Sequence, residues 1–393
     1  MSTSARPHRS ESAGPSAGTA VAGESDRSRR HAIRADQVGS LLRPHNLMSA
    51  RQAHHEGRVA DSGLRSLEDA EIRASFELQA KAGLHVFSDG QFRRPSWLGE
   101  LTRAVDGFVP ATGDTPYNPR GREDTGAGPN VIGGRLRHHG RITAAESEFL
   151  RQHAPGPFKI ALPSPSSLAL ATYQPGVTDV AYPTWGELLD DLAGIVGSEL
   201  AALADEGTDY LQLDAPGYRL FAHEPFRERL ERAGTDPDRL LAQAIEADNR
   251  SVAGLPRDSV RLGVHLCRGS APRHWLAAGG NEAMAEQLFS SLDFDTFLIE
   301  AETPWEQGFG PLRDLPAHST VVLGIVAAKR PNPRPYPDLL ARIHEAAAVV
   351  PLDRLAVSPQ CGFSSNAGEG WLSFDDQQHK LELVGRLARD VWG

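Results

Sequence analysis

From Ile33 onward the chain alternates between short apolar runs and longer stretches of helical period. The runs are IRADQVGSLL (33–42), GLHVFSD (83–89), FKIALP (158–163), DYLQLDAP (209–216), VRLGVHLC (260–267), TFLIE (296–300), STVVLGIV (319–326) and RLAVSP (354–359), eight in all. Between them lie LRSLEDAEIRASFELQAKAG, WGELLDDLAGIVGSELAALADEG, PDRLLAQAIEADNRSVAGL, EAMAEQLFSSL, YPDLLARIHEAAAVV and DDQQHKLELVGRLARDVW. Several of these open on Asp, Ser or Thr and close at Gly, as helix ends prefer. Ala82-Gly83 and Glu206-Gly207, each just before an apolar run, read as helix-to-strand turns. Strand and helix in regular alternation predict a parallel sheet. Eight such units predict an α/β fold closed into a single (β/α)8 TIM barrel. The rival, an open doubly wound sheet, calls for a glycine-rich phosphate loop after its first strand, and neither GxGxxG nor GxxxxGK[ST] stands there.

Two parts depart from the rhythm. About seventy residues separate the second and third runs, and they include GDTPYNPRGREDTGAGPNVIGG. This predicts a long excursion at the top of the barrel, over the 98–157 region, placed where it can cover a site. The segment MSTSARPHRSESAGPSAGTAVAGESDRSRR has almost no large apolar residue, so residues 1–30 are expected to be a disordered tail and 31–393 the barrel. The tail lacks the apolar core of a secretory signal, and Glu11, Glu24 and Asp26 argue against a transit peptide.

Composition narrows the classes of function. Hydrophobic content of 40% and charged content of 23% in 393 residues suit a globular enzyme. A net charge of −10 argues against nucleic acid or an anionic membrane as the main partner. The expected partners are small molecules. Two cysteines in such a length are no disulfide framework and point to a reducing, cytoplasmic setting.

The active site of such a barrel sits at the C-terminal ends of its strands. The fifth run ends with His265 and Cys267, whose side chains point to one side of an extended strand. The sixth ends with Glu300, followed by Glu302, and the eighth runs through Ser358-Pro359-Gln360 into Cys361. A buried cysteine is in general a small core hydrophobe. Here both cysteines of the chain fall on one rim with an imidazole and a carboxylate, a donor set that suits Zn2+. Two thiolates and a carboxylate (−3) against Zn2+ (+2) leave such a centre at −1. That is too electron-rich to acidify water well, and it suits an incoming thiol whose sulfur must stay nucleophilic. The chemistry expected is thiol alkylation.

RADQVGSLLRP (34–44), FSDGQFRRPSW (87–97), YLQLDAP (210–216), HLCRG (265–269), LGIVAAKRP (323–331) and LAVSPQCGF (355–363) resemble the cobalamin-independent methionine synthase family in its short form, the catalytic C-terminal half of the full-length enzyme. The resemblance runs from Arg34 to Gly393 in the family's motif order, and the family fold is a (β/α)8 barrel. It implies zinc held by His265, Cys267, Glu300 and Cys361. It further implies that Val38, Gly39 and Ser40 hold the carboxylate of homocysteine and that Asp214 holds its ammonium group. The methyl group then comes from N5 of a methyltetrahydrofolate-type donor.

The departures are specific. The family's DGE is Asp89-Gly90-Gln91 here, so one charged partner of the ammonium is replaced by a neutral amide. Its DEP is Asp214-Ala215-Pro216, and where full-length members carry a proton-donating His this chain has Val326, with Lys329 the nearest titratable group. Arg93 and Arg94 are candidates for clamping an anionic part of a substrate, with a helix-facing or solvated pair as the alternative. Trp97 is expected in the core rather than on a pterin, and His54-His55 and His138-His139 as surface pairs. Besides methyl transfer to homocysteine, two readings remain. One is a relative that joins a non-amino thiol, such as coenzyme M, to an epoxide or other alkyl donor. The other is a non-catalytic binding barrel.

Overall fold

The apolar runs from the third to the eighth form six parallel strands, each hydrogen-bonded to the next in chain order. They are β3 (Lys159–Pro163), β4 (Tyr210–Asp214), β5 (Arg261–Leu266), β6 (Thr296–Glu300), β7 (Thr320–Val326) and β8 (Leu355–Pro359), and in this computed structural model every residue in them is buried. Burial on both faces is why they read as continuous apolar runs rather than alternating ones. The structure describes residues 1, 33–98, 101–112, 130–267, 282–301, 308–366 and 372–393. The tail at 1–30 and Glu302 therefore lie outside the described residues, apart from Met1.

The first two runs bridge to the two edges of this sheet. Ala35 bridges Val357 of β8 in parallel, and Phe87 bridges Phe158 just before β3. Asp36 N donates to Val357 O at 2.8 Å, His85 N to Ala35 O at 2.9 Å and Lys159 N to Phe87 O at 2.8 Å, so each gap is spanned by backbone bonds. Sequence periodicity predicts full strands over 33–42 and 83–89, whereas the structure keeps one bridge in each. Gly39 at φ +139° turns the first segment away from the sheet, and Gly90 at +66° and Gln91 at +58° turn the second. These turns give the site its loops.

A small cluster of Ile33, Val38, Val86, Tyr210, Leu298, Val322 and Ala356 forms an apolar core of its own, separate from the larger one packed beneath the helices. Beside Tyr210 lies a buried ion pair: Lys159 Nζ is 2.7 Å from Asp36 and 2.8 Å from Gln212 Oε1, with the Tyr210 ring 4.8 Å away. Helix ends follow the expected chemistry. Ser164, Thr184 and Asp236 cap through their side chains, Ser373 forms a capping box with Asp376, and Gly83 closes its helix at φ +79°.

The described part of the excursion after the second run contains two paired strands. Strands β1 (Val105–Pro110) and β2 (Asn130–His138) pair antiparallel, with a bulge at Gly107. Thr178 Oγ1 donates to Ile132 O at 2.7 Å and Leu136 N to the Tyr182 hydroxyl at 2.8 Å, which fixes the hairpin to the segments following β3. Among the described residues no helix is long and apolar enough to cross a membrane.

Candidate metal centre

His265 and Cys267 reach the site because β5 presents alternate residues to the barrel interior. Two residues earlier, a Cβ on Gly263 would lie 2.7 Å from the Tyr210 ring, so only glycine leaves that ring its place. Cys361 arrives from the turn after β8. Its neighbour Gly362 packs so closely on the first loop that a Cβ would fall 2.0 Å from Ser40 Oγ, and Phe363 N donates to Ser40 O at 2.9 Å.

The three ligand atoms of His265, Cys267 and Cys361 lie within 4.8 Å of one another, all buried. The sulfurs are 3.4 Å apart and both cysteines are free thiols, far beyond the ~2 Å of a disulfide. His265 Nδ1 faces Asp214 Oδ1 at 3.1 Å, while Nε2 is buried without a hydrogen-bond partner. A desolvated ring nitrogen left unpaired beside two sulfurs is costly unless something occupies the gap. A tetrahedral cation with N and S preference fits it. Glu300 stands beside the triad, its Oε1 3.4 Å from Cys267 Sγ.

The electrostatics of the pocket favour positive charge. Burial works against the His265 cation, yet the Asp214 hydrogen bond and the negative charge of Cys361, Asp214 and Glu300 carry its pKa above the usual histidine value. The hydrogen bond from Cys267, opposed by burial and aided by His265 and Lys329, lowers Cys361 to about 6.

Around this centre the first two loops are stitched together. Ser88 Oγ donates to Gly39 O at 2.9 Å and Leu41 N to Gly90 O at 3.0 Å. A Cβ on Gly39 would lie 3.0 Å from Gln91 Nε2, so Val38-Gly39-Ser40 and Gln91 share one wall. The side-chain carbonyl of Gln91 and Asp89 Oδ2 are buried acceptors without hydrogen-bond partners. Asp214 Oδ1 also accepts from Gln212 Nε2 at 2.8 Å, and that same amide donates to Val38 O at 2.8 Å.

The structure does not bring every expected residue to the site. Arg93 bonds Glu68 at 3.2 Å and Asp69 at 2.5 Å, and lies over the Phe149 ring. Arg94 is bound by both oxygens of Glu146 and donates to Ala161 O at 2.7 Å. These bonds occupy the guanidinium forks that an anion clamp would use. Lys329, half-buried, approaches Phe363 O at 3.4 Å and adds its charge near Cys361. Trp97 N donates to Ser365 O at 2.8 Å, which ties the second loop to the eighth. His54 pairs with exposed Asp61, and His139 with Asp106.

Two participants stand inside the quoted motifs but have no role assigned from them. Arg43 donates to the carbonyls of Ser364, Gln91 and Arg94 and so pins three loops at once. Gln360 Nε2 donates to Glu300 Oε2 at 2.9 Å. Their place in RADQVGSLLRP and LAVSPQCGF is the one hint the sequence offers.

Comparison with known proteins gives a consistent picture. The family described as "Cobalamin-independent synthase, Catalytic domain" matches residues 34–372. A Bacillus subtilis protein, "Uncharacterized protein YxjH", is 34% identical over 381 residues, covering 95% of this chain and 99% of its own. A Saccharophagus degradans 5-methyltetrahydropteroyltriglutamate–homocysteine methyltransferase is 23% identical over 343 residues, and the match spans 40% of its length. Among solved structures, the putative vitamin-B12-independent methionine synthase of Listeria monocytogenes superposes with a TM-score of 0.70 at 27% identity, covering 92% of this chain and 98% of that one.

Proposed function

From the membership of this chain in the cobalamin-independent methionine synthase family, whose catalytic domain it matches over residues 34–372, we propose that it is a zinc-dependent methyltransferase that makes methionine from homocysteine. The observation that carries this reading is the buried, unpartnered Nε2 of His265 beside Cys267 and Cys361. His265, Cys267, Cys361 and Glu300 would hold zinc, and residues 31–393 would form the catalytic unit. Zinc, when bound, supplies a site where a thiol is held as a nucleophilic thiolate at neutral pH.

The residues around it have separate tasks. Asp214 fixes the His265 ring through Nδ1, which leaves Nε2 for the metal. Val38, Gly39 and Ser40 are assigned to the amino-acid carboxylate. The second oxygen of Asp214, the Gln91 carbonyl and Asp89 Oδ2 offer acceptors to an α-ammonium group, and an N–H donor would relieve the two that are buried and unpaired. In the transfer the S–CH3 bond forms as the N5–CH3 bond of a methyltetrahydrofolate-type donor breaks. The electron pair stays on N5, which takes up a proton, and Lys329 is the acid assigned to that step.

A second reading, alkylation of a thiol without an amino group, is favoured by one observation: Gln91 is uncharged where the family carries Glu. The two separate cleanly. Zinc-loaded protein given L-homocysteine and 5-methyltetrahydropteroylglutamate should release methionine, with 2-mercaptoethanesulfonate a poor competitor. No methionine, with strong competition by the sulfonate, would favour the second reading.

A further inference from the structure

The contact between Gln360 and Glu300 crosses a whole strand. Glu300 ends β6 and Gln360 follows β8, so β7 runs between them. The contact is possible because β7 is hollowed there. Gly324 pairs with Glu300 on one side and Ser358 on the other, and the register shifts between Gly324 and Val326. A Cβ on Gly324 would lie 2.9 Å from Gln360 Cα and 2.9 Å from Ile299 O. Gln360 N donates to Val326 O at 2.8 Å, which anchors its backbone over the gap. Its side-chain amide then donates to Glu300 Oε2 at 2.9 Å, while Glu300 Oε1 faces Cys267 Sγ at 3.4 Å.

We infer that Gln360 is a positioning residue that makes Glu300 a one-oxygen, exchangeable ligand. This rests on the zinc-thiol reading above. The amide engages Oε2 and turns it away from the triad, so Oε1 alone is presented to a metal. A carboxylate tethered in this way can yield its place to an incoming substrate sulfur and remain at the rim, ready to return when product leaves. The donor is neutral, which suits the task. It orients the carboxylate without adding a cation that would hold it back or offset the negative charge that keeps a bound thiolate nucleophilic. Without the amide, that hold on Oε2 is lost, and a thiol has a stronger competitor to displace.

The test compares wild type with Gln360→Met, a side chain of similar length without a donor. Zinc affinity is read by chelator competition and L-homocysteine affinity by calorimetry on the zinc-loaded protein. The expected result is homocysteine affinity lowered about tenfold, the scale of one hydrogen bond to a charged group, with zinc affinity not reduced. Homocysteine affinity within about twofold of wild type, or zinc affinity falling in parallel, overturns the inference, because the second result marks general loosening. Should Gln360→Met fail to fold, wild type decides through its zinc-edge X-ray absorption spectrum. One coordinated carboxylate oxygen supports the inference and two overturn it. Wild type that binds neither zinc nor homocysteine brings down the functional reading itself. Wild type that binds both, with a variant indistinguishable from it, brings down the role of Gln360 alone.

Discussion

Asp214 Oδ1 and His265 Nδ1 face each other at 3.1 Å across the β4–β5 ladder, where the two residues are direct partners in register. The carboxylate is thereby committed to the imidazole before any substrate arrives, and it is itself oriented by Gln212. Lys159 holds the Gln212 carbonyl, so the amide must present its N–H groups to Asp214 and Val38 O. A buried chain thus runs from the Lys159–Asp36 ion pair to the His265 ring.

Asp214→Ala is expected to weaken zinc binding about 10–100-fold, as loss of a carboxylate behind a histidine ligand does. Chelator competition without thiol isolates this effect from any contact with the substrate ammonium. Unchanged zinc affinity would mean that Asp214 serves the substrate alone.

The Arg94–Glu146 pair is nearly inaccessible, with side chains 2% and 5% exposed. Arg94→Met leaves a buried carboxylate uncompensated and should cost roughly 3–5 kcal/mol in denaturant unfolding. Adding Glu146→Leu should recover much of that loss. Homocysteine affinity of the folded double variant should match wild type, whereas a large drop would return Arg94 to the substrate.

Asp248 provides the pH test. It is fully buried and accepts from Ser166 N at 2.8 Å, Ser166 Oγ at 2.7 Å and the Tyr218 hydroxyl at 2.7 Å, which joins the turns after β3 and β4 to a helix. Burial outweighs these bonds and raises its pKa to about 6. A carboxyl with a raised folded-state pKa contributes stability that is full below its unfolded value near 3.8 and is lost as pH rises through about 6. Wild type should therefore lose about 2 kcal/mol relative to Asp248→Asn between about pH 4 and pH 6. Parallel stability curves for the two proteins across that window would contradict the assignment.

How much of this was legible in the sequence depended on where each residue finds its partner. Strands β3 to β8 were readable because a sheet buried on both faces leaves an uninterrupted apolar run. The first two strands read too long because their apolar character continues past the glycine turns at 39 and 90. Hairpin β1–β2 was missed since Gly107, Gly133 and Gly134 break its alternation, and a Cβ on Gly133 would sit 2.5 Å from Val109 Cγ2. His265, Cys267 and Cys361 were legible because rare side chains stood at strand ends. Arg93 and Arg94 were not, because Glu68, Asp69 and Glu146 come from helices whose packing no local pattern announces. Gln360 escaped for the same reason, with its partner lying across β7.

His265, Cys267, Cys361 and Glu300 are proposed to hold a zinc ion that takes up the sulfur of homocysteine. Zinc-edge X-ray absorption on the freshly purified protein, before and after adding L-homocysteine, tests it most directly. The expected result is one zinc per chain with two sulfurs, one imidazole nitrogen and one oxygen, changing to three sulfurs with loss of the oxygen. Absence of zinc, or a sulfur count that stays at two with saturating homocysteine, would contradict it.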